Sequence, residues 1–162
     1  MSLLLVRETD VPGRYYIKYL EQTLYFNVYK CRKEESTLDE ELEKVGEFNS
    51  KALALIPASA ISSFFQIVQG VINYHLYGKT FRVRNKGLLL AMFILGLDQI
   101  NKVIRELKEE YARSNDYYVV TIEGGCKMGS EKCTPFSVST IELNREALQI
   151  LAKNLGAILR KI

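Results

Sequence analysis

The residues best suited to chemistry lie in one short run, Lys79-Thr80-Phe81-Arg82-Val83-Arg84-Asn85-Lys86, which holds four cations, no acid and one aromatic ring. Cations at this density suit phosphate, and the planar fork of arginine suits it best. Alternation along an extended segment puts Arg82 and Arg84 on the same side. Asn85 is a residue type that caps helices, and the first N–H groups of a helix starting at Lys86 would face the same region. Tyr74, Tyr77 and Phe81 are near enough in the chain to stack a splayed base, the way single-stranded RNA is usually held, and they suit a core equally well.

Other chemistries lack their residues. Gly78-Lys79-Thr80 looks like the end of a phosphate loop, but that motif needs a glycine where Asn73 stands. Gly124, Gly125 and Gly129 follow an extended run without opening a helix, which is not the dinucleotide pattern. Cys126 and Cys133 do not have a zinc spacing, and only Cys31 and His75 remain to complete a ligand set, so neither metal nor cofactor is expected. A Cys126–Cys133 disulfide is one reading; two inert thiols is the preferred one. His75 is the single histidine and falls on or beside the apolar stripe of a helix, which suits a structural imidazole. Glu34-Glu35 and Glu40-Glu41 lie in polar stretches, where solvated carboxylates are expected. No catalytic group emerges.

These residues need elements to position them. Val11-Pro12-Gly13 signals a turn between two extended stretches, and alternation at Tyr15, Ile17, Tyr19 and again at Leu24, Phe26, Val28 predicts a hairpin over 14–30. Thr37 with Glu40 has capping-box spacing for a short acidic helix ending near Gly46. Continuous apolar runs at 52–56 and 117–122 predict central strands covered on both faces. Between them, Ile61, Phe64, Phe65, Val68, Val71, Ile72 and Leu76 predict the buried stripe of the main core helix, with Ser62, Gln66, Gln69 and Asn73 outside. Asn85 and Gly96 bound a second helix over 86–95, apolar all round, and Asp98 is placed to cap a third, buried through Ile100, Val103, Ile104 and Leu107. Gly124 to Thr134 reads as a loop, Phe136 and Val138 as an edge strand. Asn144 opens a last helix with a wide apolar stripe. The expected fold is α/β (α+β): a mixed, largely antiparallel sheet packed by several helices, one domain over 1–162.

Composition narrows the class. The chain has 162 residues, 48% of them hydrophobic, and a net charge of +3, too small for the whole molecule to bind polyanions, so any basic site is local. Three cysteines are too few and too odd for a secreted disulfide scaffold, which favours a reducing cytosol. The opening Met1 to Val6 is too short for a signal peptide and the run from Gly87 to Leu97 too short for a membrane helix. A cytoplasmic protein without membrane attachment is expected.

The order Ala52-Leu-Ala-Leu-Ile-Pro57, the long amphipathic helix, Arg82-x-Arg84-Asn85, the apolar helix, the Gly96 break, Gln99-Ile100-Asn101 and the strand Tyr118-Val-Val-Thr-Ile122 resembles the TPRKB family, the small kinase-binding subunits of the KEOPS (EKC) complex. The resemblance covers about residues 51–122, with a compatible terminal helix. Family members often carry a Glu in the apolar helix where this chain has Leu89, and the Gly124 to Thr134 loop is its own. The resemblance implies a non-catalytic accessory subunit that binds the kinase/ATPase subunit, meets other KEOPS subunits indirectly, and helps capture the tRNA 3′ CCA end for threonylcarbamoyladenosine formation. Arg82, Arg84 and Asn85 fall on the family pattern for RNA contact. Electrostatics adds Lys79 and Lys86. The apolar width of the last helix assigns kinase docking to Leu151, Leu155, Ile158 and Leu159. Two other readings stand beside this one: a small cysteine-dependent transferase or hydrolase, with Cys126 or Cys133 activated by Lys127 or Lys132, and a homodimeric scaffold without RNA.

Overall fold

The computed structural model describes residues 4–19, 22–45, 47–48, 51–126, 132–138 and 141–142. In chain order they form β1 (Leu4–Glu8), β2 (Arg14–Tyr19), β3 (Gln22–Arg32), α1 (Leu38–Val45), β4 (Glu47–Phe48), β5 (Ala52–Pro57), α2 (Phe64–Tyr77), α3 (Lys86–Leu95), α4 (Ile100–Arg113), β6 (Asp116–Ile122), β7 (Gly125–Cys126), β8 (Cys133–Pro135) and β9 (Ile141–Glu142). The main sheet runs β5-β6-β3-β2-β1-β9, with β8 also paired to β3, and β4 pairs with β7 apart from it. The expected α+β class holds, and every described pairing is antiparallel, so the sheet is not mixed.

Strand alternation sorts the side chains onto two faces. On one, Tyr15, Ile17, Phe26, Val28 and Val120 are buried, and Phe64 of α2 closes on Tyr15 and Phe26 at ring separations of 5.0 and 6.4 Å. The Tyr15 hydroxyl donates to the Phe136 carbonyl and accepts from the Val138 N–H at 3.1 Å. Burial and the nearby Glu8 charge push this phenol up to about 12. On the other face, Tyr117 and Val119 lie beneath α1 and α4.

The strand over 117–122 is central, as its apolar run implies, but β5 ends the sheet. All six of its residues are nevertheless buried, because α3 lies along it, in contact with α2 on one side and α4 on the other. Three neighbours account for an apolar helix with no polar face: residues 89–94 are all buried, which removes this run as a partner surface. Gly87 makes the approach possible, since a Cβ there would fall on the Leu53 carbonyl oxygen.

The core stripe of α2 is wider than its periodicity suggests. Gln69 and Asn73 are buried, while Phe65 and Leu76 are exposed. The Gln69 amide donates to the carbonyls of Phe93 at 2.8 Å and Ile94 at 3.2 Å, and Asn73 donates back to Gln69 at 3.1 Å. Gln69 thus satisfies two otherwise orphaned C-terminal carbonyls of α3, and Asn73 satisfies the Gln69 oxygen, which is why both turn inward. Gly70 beside them lets α2 touch Ile94 directly. Asp98 does not cap α4, whose preceding residue is Gln99; it pairs with Lys102 at 3.0 Å.

The cysteine reading also changes. Cys31 of β3 and Cys133 of β8 are directly opposite in the ladder and joined as a disulfide, so Cys133 pairs neither with Cys126 nor as a free thiol. The strand expected at Phe136 and Val138 falls instead just before them, as β8 at Cys133–Pro135. Among the described residues no single helix is long and apolar enough to cross a membrane. The predicted terminal helix, with Leu151, Leu155, Ile158 and Leu159, lies outside the described residues.

Candidate functional site

The basic run is built by its apolar members. After α2 the chain makes a short 3-10 turn over Gly78–Thr80 and then an irregular segment, bent at Phe81 and Arg84, leads to Asn85. Phe81 and Val83 are half-buried, and the Phe81 ring stands edge-on to Phe93 at 5.3 Å. Anchoring alternate residues turns Arg82 and Arg84 outward, and both are exposed. Among the described residues neither arginine, nor Lys79, has an acidic partner. Asn85 caps α3 by accepting the Leu88 N–H at 3.1 Å, so its oxygen serves the helix. Lys86 folds back to the Val83 carbonyl at 3.0 Å.

This loop forms the lip of a cleft of about 1030 Å³ between the end of α2, the start of α3 and the sheet. The cleft opens because β6 stops at Ile122 opposite Phe26, while β3 continues back to Gln22. Lys79 and Lys86 line one wall, and Arg14, Tyr25 and Lys51 the opposite one; Leu24, Val71 and Leu89 supply apolar floor. One acid, Glu123, lines it and is paired with Lys51 at 3.2 Å. Arg82 and Arg84 stand outside the cleft wall.

His75 is exposed and lines this cleft, with Nε2 at 3.3 Å from Gln22 Oε1, so the imidazole has a partner but stands at the surface beside the core stripe. Tyr74 and Tyr77 are half-buried, packed against the core with Phe81. Arg14, Lys51 and Tyr25 were not singled out by the sequence. The signal for Arg14 and Tyr25 is the polar register of the first hairpin, in which Arg14, Tyr16 and Lys18 alternate with buried residues; nothing local marks Lys51.

A second polar cluster lies on the other side of the sheet. Glu41 is fully buried, which corrects its reading as a solvated carboxylate. Its carboxylate accepts from the Tyr117 hydroxyl at 2.5 Å, the Tyr111 hydroxyl at 3.2 Å and the Glu35 N–H at 2.8 Å, and it is ion-paired to Lys132. Burial alone would raise its pKa, but Lys132, Tyr117 and two backbone N–H groups outweigh burial and bring it down to about 2. Burial first, and then the Glu41 charge, push the Tyr111 and Tyr117 phenols upward. With Cys133 bonded to Cys31 and Lys132 committed to Glu41, the reading of Cys133 as a nucleophile activated by Lys132 is withdrawn. The side chains of Cys126 and Lys127 lie outside the described residues. Among the described residues no group of three His, Cys, Asp or Glu side chains is placed to hold a metal ion.

No protein-family model matches the chain, and no curated protein matches it.

Proposed function

We propose that this chain is a non-catalytic accessory subunit of the KEOPS complex, cytoplasmic, that holds the single-stranded 3′ CCA end of tRNA and docks the kinase/ATPase subunit during threonylcarbamoyladenosine formation. One observation supports the RNA half: Lys79 and Lys86 line a cleft that also has apolar lining, and between them in the chain stand exposed Arg82 and Arg84, which have no acidic partner among the described residues. Phosphates meet the lip, and a terminal base has an apolar recess beside it. Asn85 supports the reading as the cap that orients the loop. Kinase docking is assigned to Leu151, Leu155, Ile158 and Leu159 on the pattern of the terminal segment. The Cys31–Cys133 disulfide runs against the reducing cytosol that the cysteine count favoured.

The test is a filter-binding titration of the full chain with intact tRNA and with tRNA trimmed of its CCA end. The expected result is clearly weaker binding of the trimmed form, with the difference abolished in Arg82→Glu/Arg84→Glu. Equal, weak binding of both forms by the wild type would refute end recognition.

A further inference from the structure

The open face of β1–β3 carries a feature that the basic lip does not explain. The registers Arg7↔Tyr16 and Tyr16↔Tyr25 set these three residues in one row across three strands. Their neighbours two positions along, Arg14 and Lys18 on β2 and Thr23 on β3, share that face. Tyr25 is 44% exposed, Tyr16 is half-buried, and their ring centroids are 6.4 Å apart. The Arg14 guanidinium sits 5.0 Å from the centre of the Tyr25 ring. Two tyrosine rings side by side on a solvated face offer an amphipathic surface on which a flat ligand can stack.

Charge identifies what the face fits. Arg7, Arg14 and Lys18 supply three cations, and among the described residues of β1–β3 no acid shares their face. The one carboxylate on these strands, Glu8, pairs in register with buried Tyr15 and is held by the Gly13 N–H at 2.7 Å and the Ser137 hydroxyl at 2.7 Å. A row of tyrosines flanked by cations suits unpaired bases stacked on the rings, with their phosphates on the flanking side chains. A duplex does not fit this mode, because its bases are stacked on one another and offer the rings no free π-face. Arg14 and Tyr25 also line the cleft, so the face and the cleft are one continuous surface.

We infer that the β1–β3 face is a base-stacking platform for single-stranded RNA, with Tyr16 and Tyr25 as its rings and Arg7, Arg14 and Lys18 as its phosphate contacts. The platform goes beyond the proposed function. It requires neither a CCA terminus nor membership of any complex, and its strand spacing spans about two or three bases, as on other RNA-binding sheets.

The experiment is a fluorescence anisotropy titration of the full chain with a labelled oligouridylate of about ten nucleotides, a length within the range such surfaces cover. Tyr25→Ala is expected to weaken binding by roughly 5- to 100-fold, the loss of one base stack. Tyr25→Phe is expected to bind like the wild type, because the ring is what binds. Lys18→Glu, at an exposed side chain that leaves the fold alone, is expected to weaken binding and flatten its salt dependence. Wild-type binding in both Tyr25→Ala and Lys18→Glu would overturn the proposal, as would no oligouridylate binding by the wild type. An equal loss in Tyr25→Phe and Tyr25→Ala would overturn stacking as the mechanism. The two readings fail separately: loss of CCA discrimination with Tyr25-dependent oligouridylate binding intact sinks the end-recognition reading alone, and the converse sinks the platform alone.

Discussion

Glu41 shows what a single residue contributes and why its role was hidden. Its neighbours in sequence are acidic and exposed, so local pattern assigns it to solvent. Its partners Tyr111, Tyr117 and Lys132 are 70 or more residues away in the chain, and no local rule brings them together. The sign of its pH effect follows from the depressed carboxyl. With a folded pKa of about 2 against an ordinary 4.5, its stabilisation is complete above the ordinary value and is lost as pH falls through the folded one. That is on the order of 3 kcal/mol at neutral pH. Denaturant titrations from pH 6 down toward 2 should therefore show stability falling in the wild type and much less so in Glu41→Gln. At neutral pH Glu41→Gln should cost about 3 kcal/mol, because buried Lys132 loses its nearer counter-charge and keeps only partly exposed Glu34 at 3.6 Å. Parallel pH profiles for the two proteins would contradict this assignment.

Among the elements, those with local punctuation were legible. Asn85 and Gly96 bound α3 where their types predict, since a cap hydrogen bond and a left-handed glycine are decided within a few residues. The inward turn of Gln69 was not legible, because its partners are carbonyls of another helix, and Asn73 turns in only to meet Gln69. The edge position of β5 was hidden for a similar reason: α3 buries its free side, so its composition imitates a central strand. Gly87→Ala tests that contact. With a Cβ against the Leu53 carbonyl oxygen, α3 must lift from β5, and the expected cost is about 1–3 kcal/mol with a matching loss of RNA affinity as Lys86 shifts. The disulfide gives a second test at this scale. Cys31 and Cys133 are 102 residues apart, so Cys133→Ser should lower stability by roughly 2–4 kcal/mol, read as an earlier denaturant midpoint than the oxidised wild type. An unchanged midpoint would mean that the bridge closes no loop of consequence.

For the whole molecule, the fold class and the basic lip were readable from 162 residues, and the cleft was not. Lys79 and Lys86 announce themselves as a run, whereas Arg14, Tyr25 and Lys51 reach the opposite wall from three separate places in the chain. A cleft made where one strand outlasts its neighbour depends on register, which one sequence does not specify. Its consequence is a continuous surface from the lip, through the cleft, to the tyrosine face. The account treats this surface as a grip for an RNA single strand, and counterion release measures that grip directly. The decisive measurement is the slope of log binding constant against log salt for tRNA, in the wild type and in Arg82→Ala/Arg84→Ala. Two phosphate contacts on a single strand predict a slope shallower by about 1.4 in the double variant. The same slope in both proteins would show that these arginines hold no phosphate, and the central claim would be wrong.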